Sequence, residues 1–203
     1  MSSQAVAKKS LLHTVAAAIS TIIHPIALPL LTLAVVTDVA TGQLSDGLLI
    51  AGLALALTSL PVAGLVLWQV SRGHWSDLDV SVRKQRYLLY PVGIICAIAL
   101  IAALLLIHAP APAMVSVLTI TAANIVNGAI NLAYKVSGHS MTASACATLL
   151  WLYAPGWGIP FAVAAILVGW SRVVLGRHTP GQVALGWTVG VVSALAVHII
   201  YPG

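Results

Sequence analysis

Long apolar stretches, separated by short polar or turn-forming stretches, run along the whole chain. They cover residues 14–37, 47–70, 87–108, 113–134, 139–154, 159–176 and 181–201. A membrane-spanning helix needs about 20 predominantly apolar residues, so most stretches are long enough, whereas the fifth and sixth are short. The pattern predicts an all-α fold, a polytopic membrane helical bundle with six or seven transmembrane segments.

The first apolar stretch contains two prolines, Pro25 and Pro29. Proline removes a backbone donor and clashes with the preceding turn, so we expect a kink or a break there. The stretch is too long for a cleaved signal sequence and is interpreted as an anchor. We expect one integral membrane domain, 1–203, with an N-terminal tail, 1–12, and a basic juxtamembrane loop, 71–86.

Composition supports a chain that lies mostly in lipid. Hydrophobic residues make up 60% of the sequence and charged residues only 6%, against about 25% charged in soluble domains. Cys96 and Cys146 fall inside apolar stretches and are interpreted as small buried hydrophobes, not as a disulfide or a metal pair. We expect membrane lipids as the surroundings and no nucleic-acid partner. The sequence does not indicate an oligomeric state.

The charges are distributed unequally between the two sides of the predicted bundle. With seven crossings, all nine basic residues fall on or near one side: Lys8, Lys9, Arg72, Arg83, Lys84, Arg86, Lys135, Arg172 and Arg177. The other side carries Asp38 and Asp46. By the positive-inside rule the basic side faces the cytoplasm, and the cell membrane is the expected location.

Two histidines stand at the starts of predicted helices on that basic side. His139 lies in Ser137-Gly138-His139-Ser140, and His178 directly precedes Thr179-Pro180. Threonine is a good N-cap and proline suits the first helical turn. Free backbone N–H groups and the helix dipole attract anions at such positions. Each helix start is therefore a plausible anion site.

These residues carry a resemblance to a known family. Ser171-Arg172, His178, Pro180 and Gly186-Trp187 resemble the third signature of the type 2 phosphatidic acid phosphatase superfamily, and Ser137-Gly138-His139 resembles the second. The resemblance covers 137–187, about a quarter of the chain. It implies a helical bundle that hydrolyses phosphate esters without a metal or another cofactor.

The resemblance also implies roles for individual residues. His178 would attack phosphorus and form a phosphohistidine, and His139 would protonate the leaving oxygen and then activate water. Arg172, with backbone N–H groups near Ser137 and Gly138, would hold the phosphoryl oxygens. Phosphoryl transfer depends mainly on positioning and charge neutralisation, which suits these groups.

Two departures from the family pattern bear on mechanism. Gln182 stands where the family has an aspartate that accepts a hydrogen bond from the nucleophile. A glutamine oxygen can still fix the tautomer, but T-x-x-Q is also a capping box, and both readings stay open. The first signature is missing, and Arg83, Lys84 or Arg86 could supply its cations, with Asp77 or Asp79 orienting them; the alternative is a basic collar for lipid headgroups.

Three other polar residues are open to both interpretations. Lys135 either contacts phosphate or anchors at the interface. Arg177 is interpreted as a further phosphate contact or as a residue of the positive-inside pattern. His24 lies within the first stretch beside Pro25 and is interpreted as a packing residue or as satisfying the helix kink, although an intramembrane histidine is also a candidate for function.

The expected activity is metal-independent hydrolysis of a lipid phosphate, of the polyprenyl phosphate, prenyl-linked sugar phosphate or phosphatidate type. A lipid phosphotransferase that uses the same histidine is the alternative within enzymes. A non-catalytic transporter or lipid-binding protein of the same fold is the alternative outside them, because fold does not determine function.

Overall fold

The computed structural model describes residues 3–202, with side chains from Leu11 onwards, and the described chain is helical without strands. Its helices are α1 (Ser3–Ile22), α2 (Ala27–Thr41), α3 (Leu44–Ala54), α4 (Leu60–Ser71), α5 (Arg86–Leu106), α6 (Ala111–Asn131), α7 (Gly138–Tyr153), α8 (Pro155–Val174) and α9 (Pro180–Ile200). A π-helical turn, Leu55–Ser59, joins α3 to α4, and a 3-10 turn, Arg83–Gln85, precedes α5. The predicted all-α polytopic bundle is confirmed.

The described part of the chain has five or six candidate spans, so it reaches the lower of the two predicted numbers, six, and not seven. Five helices are long and apolar enough to cross a membrane: Leu44–Ser71, Arg83–Leu106, Ala111–Asn131, Pro155–Val174 and Pro180–Ile200. The pair Leu11–Ile22 and Ala27–Thr41 makes a sixth span if it is counted as one. The fifth apolar stretch forms α7, which has only 16 residues and is short, as expected.

The break in the first stretch falls at Pro25, where the sequence predicts it. α1 ends at Ile22, α2 begins at Ala27, and the two axes are bent by 48°. The carbonyl of His24 accepts the N–H groups of Ala27 and Leu28 and starts the new helix. The side chains of residues 1–10 in the predicted tail, those of Lys8 and Lys9 among them, lie outside what the structure describes.

The central helix is α7, which packs between α8 and α9 and buries 11 of its 16 residues. Close approach to α9 depends on two glycines four residues apart. A Cβ on Gly186 would lie 2.6 Å from the carbonyl oxygen of Ser137, and one on Gly190 would clash with the backbone of Met141 and with Ser144. Small residues at this spacing let helix backbones approach in membranes, and they bring the starts of α7 and α9 together.

The predicted basic loop, 71–86, is an ordered cap at the end of the bundle that carries both motif histidines. Trp75 is buried within it, and Val80 adopts a left-handed conformation with φ of 48°. Arg86 donates from Nε to the Val80 carbonyl over 2.7 Å. Because these contacts shape the loop, its acidic residues are held against the bundle.

Candidate active site

The two motif segments are joined by direct hydrogen bonds. The Ser137 N–H donates to the Gln182 carbonyl over 3.2 Å, and Arg86 Nη1 donates to the Val136 carbonyl over 3.0 Å. The Ser137 hydroxyl also caps α7 by accepting the N–H of Ser140 over 3.3 Å. The helix starts that carry His139 and His178 are therefore neighbours, and Arg86 is attached to the same turn.

Gln182 makes both contacts that the sequence left open, the capping contact with Thr179 and the contact with His178. Its Oε1 accepts the Thr179 N–H over 3.2 Å and completes the capping box, and it also lies 3.2 Å from His178 Nδ1. Because the Thr179 N–H donates to this atom, the atom must be the amide oxygen, and this fixes the orientation of the Gln182 amide. An amide oxygen only accepts, so His178 carries its proton on Nδ1 and leaves the lone pair on Nε2.

His178 is held in its neutral form. Burial, followed by the positive charges of Arg86, Lys135 and Arg172, lowers the pKa of His178 from 6.5 to about 3, against a small opposing effect from Gln182. Desolvation and nearby like charge both disfavour the imidazolium. The Nε2 lone pair is consequently available at neutral pH, and three cations lie close enough to act on the ring.

Arg172 is the most deeply buried cation of the site, with 1% of its surface exposed. Its Nη1 donates to Ser20 Oγ over 2.8 Å and to Asp79 Oδ2 over 2.9 Å. Its Nε is buried and has no partner among the described residues. Since buried guanidinium donors are normally satisfied, this edge is available to an added acceptor.

Asp79 links the arginine to the second motif. Its Oδ1 lies 4.0 Å from His139 Nε2, while its Oδ2 pairs with Arg172. His139 is only 8% exposed, and its Nε2 has no hydrogen-bond partner among the described residues. The sequence indicated Asp79 only as a residue that orients loop arginines. Its contact with Arg172 depends on the fold of the 72–82 loop, which no local pattern predicts.

His24 is a further member of the cluster. Its Nδ1 accepts the Ile26 N–H over 3.2 Å, and its ring centroid lies 5.5 Å from that of His139 in an edge-to-face arrangement. The interpretation of His24 as a residue that satisfies the helix break is correct but incomplete. A histidine within the membrane at a proline break was the signal that pointed to it.

The cluster of His24, Asp79 and His139 has the residue types of a metal site. One ligand atom from each lies within 4.8 Å of the other two. Their surroundings favour an anion instead, because Arg172 pairs with the carboxylate and the His24 Nδ1 lone pair already accepts an N–H. A neutral His24 then presents a proton on Nε2, which donates to anions and does not ligate cations.

The remaining basic candidates divide into two groups. Arg86 and Lys135 act electrostatically on His178, and Lys135 donates from Nζ to the Arg177 carbonyl over 2.9 Å. Arg177 itself donates to Ser81 Oγ over 2.9 Å and links the loop to the turn between α8 and α9. These three residues lie near His178.

Arg83 and Lys84 lie away from the motif histidines. Arg83 donates to the carbonyls of Asn131 and Leu132 at the end of α6, and cations suit this end of a helix. Lys84 is exposed. Of the residues predicted to replace the missing first signature, the structure places only Arg86 in the buried cluster.

The backbone donors predicted at the second motif are partly used. The Ser137 N–H is occupied by the Gln182 carbonyl, whereas Gly138 N–H, at the first position of α7, has no acceptor among the described residues. A Cβ on Gly138 would approach only Asn127, at 3.9 Å. Of the two backbone N–H groups predicted to bind phosphate, that of Gly138 is therefore the unoccupied one.

A cavity of about 300 Å³ opens from this cluster into the bundle. Its polar end is lined by His24, Asp79, Arg86, Asn127 and His139. The rest is lined mainly by apolar side chains of α2, α4, α5, α6 and α7. The polar cluster is thus continuous with an apolar chamber.

Comparison with known proteins identifies one family. The family model described as the PAP2 superfamily matches residues 47–203. No curated protein and no solved structure matches the chain. The matched range includes both histidine motifs and the loop that carries Asp79.

Proposed function

The chain belongs to the PAP2 superfamily, whose members are broadly phosphatases, and we propose that it hydrolyses a membrane lipid phosphate through a phosphohistidine on His178. One observation carries the proposal. Two buried nitrogens of the motif residues, Arg172 Nε and His139 Nε2, lack hydrogen-bond partners within the described part of the chain. A phosphoryl group bound between them would satisfy both nitrogens.

The first step uses the tautomer that Gln182 imposes. The His178 Nε2 lone pair attacks phosphorus and forms an N–P bond, while the bond between phosphorus and the lipid oxygen breaks. His139, which takes up a proton from the bound phosphate monoanion, gives this proton to that leaving oxygen, so the lipid departs as an alcohol. Splitting hydrolysis through a covalent intermediate replaces one difficult step by two easier ones.

The second step regenerates the histidine. His139, now neutral, takes a proton from water, the water oxygen attacks phosphorus, and the N–P bond breaks to release inorganic phosphate. A histidine in both roles suits general acid–base catalysis near neutral pH. Arg172 Nε and Gly138 N–H would neutralise the phosphoryl oxygens through both steps.

Asp79 has a supporting role in this scheme. By pairing with Nη1 of Arg172, the carboxylate holds one side of the guanidinium and directs the unpartnered Nε edge towards the site. Arginine binds oxyanions through such planar edges. Asp79 therefore acts as a positioning residue for Arg172.

The proposal is tested with purified protein and a panel of lipid phosphates in excess EDTA. We expect phosphate release in the wild type, its loss in His178→Ala, and no change in His13→Ala, which alters an exposed histidine of α1. An acid-labile, alkali-stable phosphorylated intermediate should be trapped in the wild type only. Release that requires an added alcohol would assign phosphotransfer instead, and no turnover with any lipid phosphate would favour a non-catalytic role.

The distribution of charge also indicates on which face of the membrane the site lies. We place the protein in the cell membrane with the site facing the cytoplasm, because the basic residues gather on the motif side. Ser76 lies in the loop over the site. Ser45 lies at the start of α3, at the other end of the Leu44–Ser71 span, and both serines are exposed. On intact cells, a membrane-impermeant thiol reagent should label Ser45→Cys and not Ser76→Cys; the reverse pattern would overturn the orientation.

A further inference from the structure

We propose that the cavity inside the bundle binds the hydrocarbon tail of the lipid phosphate substrate. This inference rests on the proposed function, because the tail is that of the lipid whose phosphate reaches His178. It goes further by placing the tail within the protein instead of in the surrounding bilayer.

The shape of the cavity matches an amphiphile. At its polar end stand Arg86, Asn127 and His139, and from there it continues past Gly93 and Ala97 on α5. Along α7 the lining runs from Gly138 to Leu149, a distance of about 16 Å at 1.5 Å per residue. A molecule with a charged head and an apolar chain therefore meets complementary surface along its length.

The cavity is large enough to hold a segment of hydrocarbon chain. Its volume of about 300 Å³ lies at the lower end of the range of roughly 300–1,000 Å³ that is usual for small-molecule pockets in proteins. Such pockets are lined mainly by apolar side chains with a few polar groups, as this one is.

Small residues provide the room for the chain. Gly93 lies in the middle of α5 and lines the cavity, and a Cβ built on it meets no atom within 4 Å. A larger side chain at this position fills the cavity without colliding with the protein. Gly64, in the middle of α4, also has open space around it but is exposed on the outer surface of the bundle and does not line the cavity.

A groove on the outside of the bundle supplies a route from the bilayer. It runs between α5 and α6, and Tyr90, Ile94 and Asn124 line both the groove and the cavity. One layer of side chains therefore separates the chamber from lipid at this place. A hydrocarbon chain can enter laterally when these side chains change rotamer.

The experiment compares Gly93→Leu with the matched variant Gly64→Leu on n-butyl and n-decyl phosphate, both supplied as monomers. A chain transferred from water into an apolar site gains about fourfold in affinity per methylene. We expect Gly93→Leu to lower kcat/KM for the decyl substrate roughly tenfold or more, and to leave the butyl substrate within about twofold. Gly64→Leu should leave both unchanged. An equal effect of Gly93→Leu on both substrates, or none on the decyl substrate, would overturn the inference.

A binding measurement separates this inference from the proposed chemistry. A decyl phosphate with a diazirine at its chain end is crosslinked to the wild type, and the labelled peptides are mapped. We expect labels on cavity residues such as Ala97 and Cys146 even if the protein releases no phosphate. Labels confined to lipid-facing residues such as Ile98 and Ala99 would place the tail in the bilayer and reject the cavity site.

Discussion

The Asp79 carboxylate pairs with Arg172 over 2.9 Å while its second oxygen lies 4.0 Å from His139 Nε2. A loop between α4 and α5 thus supplies the anion that joins the arginine of one motif to the histidine of the other. Removing one partner of a buried pair leaves the other charge uncompensated.

We expect Asp79→Asn to weaken both stability and activity. The free energy of unfolding should fall by about 1–3 kcal/mol, the cost of leaving a buried donor poorly satisfied. The kcat/KM for a lipid phosphate should fall roughly tenfold or more, which is about 1.4 kcal/mol, because Arg172 is no longer held. Thermal unfolding in detergent and phosphate release measure the two effects. Asp46→Asn, at the start of α3, is the control, and equal behaviour of the two variants would contradict the role of Asp79.

Gln182 offers a test of how the nucleophile is oriented. In Gln182→Asp the carboxylate still accepts from His178 Nδ1 and from the Thr179 N–H, and it adds a charge that stabilises imidazolium. We expect phosphate release to continue at the same or a higher rate. Gln182→Met, which has similar length and no strong acceptor, should reduce the rate at least about tenfold. A sharp loss in Gln182→Asp would show that the amide has another role.

The low pKa of His178 predicts a pH-dependent loss of stability. The folded protein keeps this histidine neutral to about pH 3, whereas the unfolded chain protonates near 6.5. As pH falls below about 6.5 the unfolded state binds the additional proton, so stability decreases from there towards pH 3. The unfolding temperature should decrease less between pH 7.5 and pH 5.0 for His178→Asn than for the wild type. Identical decreases would mean that the folded protein does not protect His178 from protonation.

The glycine pair of α9 predicts a packing defect on substitution. A Cβ on Gly190 would clash with the Met141 backbone, and backbone cannot move as a flexible side chain can. We expect Gly190→Ala to lower stability by about 1–3 kcal/mol, as overpacking does, and to reduce activity by shifting α7 relative to α9. Gly64→Ala, with open space around it, should unfold at the wild-type temperature or slightly above. Unchanged unfolding of Gly190→Ala would contradict the close packing.

Sequence alone was sufficient for the bundle because lipid imposes a simple rule. A backbone in hydrocarbon must satisfy its own hydrogen bonds, so long apolar stretches become helices. The break at Pro25 and the cap at Thr179 follow from equally local physics, since each depends on one residue and its immediate neighbours. The dual contacts of Gln182 could also be anticipated, because His178 lies only four residues away.

Only the tertiary structure decided which charged groups meet. Asp79 lies 93 residues from Arg172, and Ser20 lies 152 residues from it; such contacts depend on how helices pack and how the 72–82 loop folds. The same packing separates Arg86, which is buried beside the motifs, from Arg83, which caps α6. A sequence pattern records periodicity along one element, whereas an ion pair depends on the spatial arrangement of several elements.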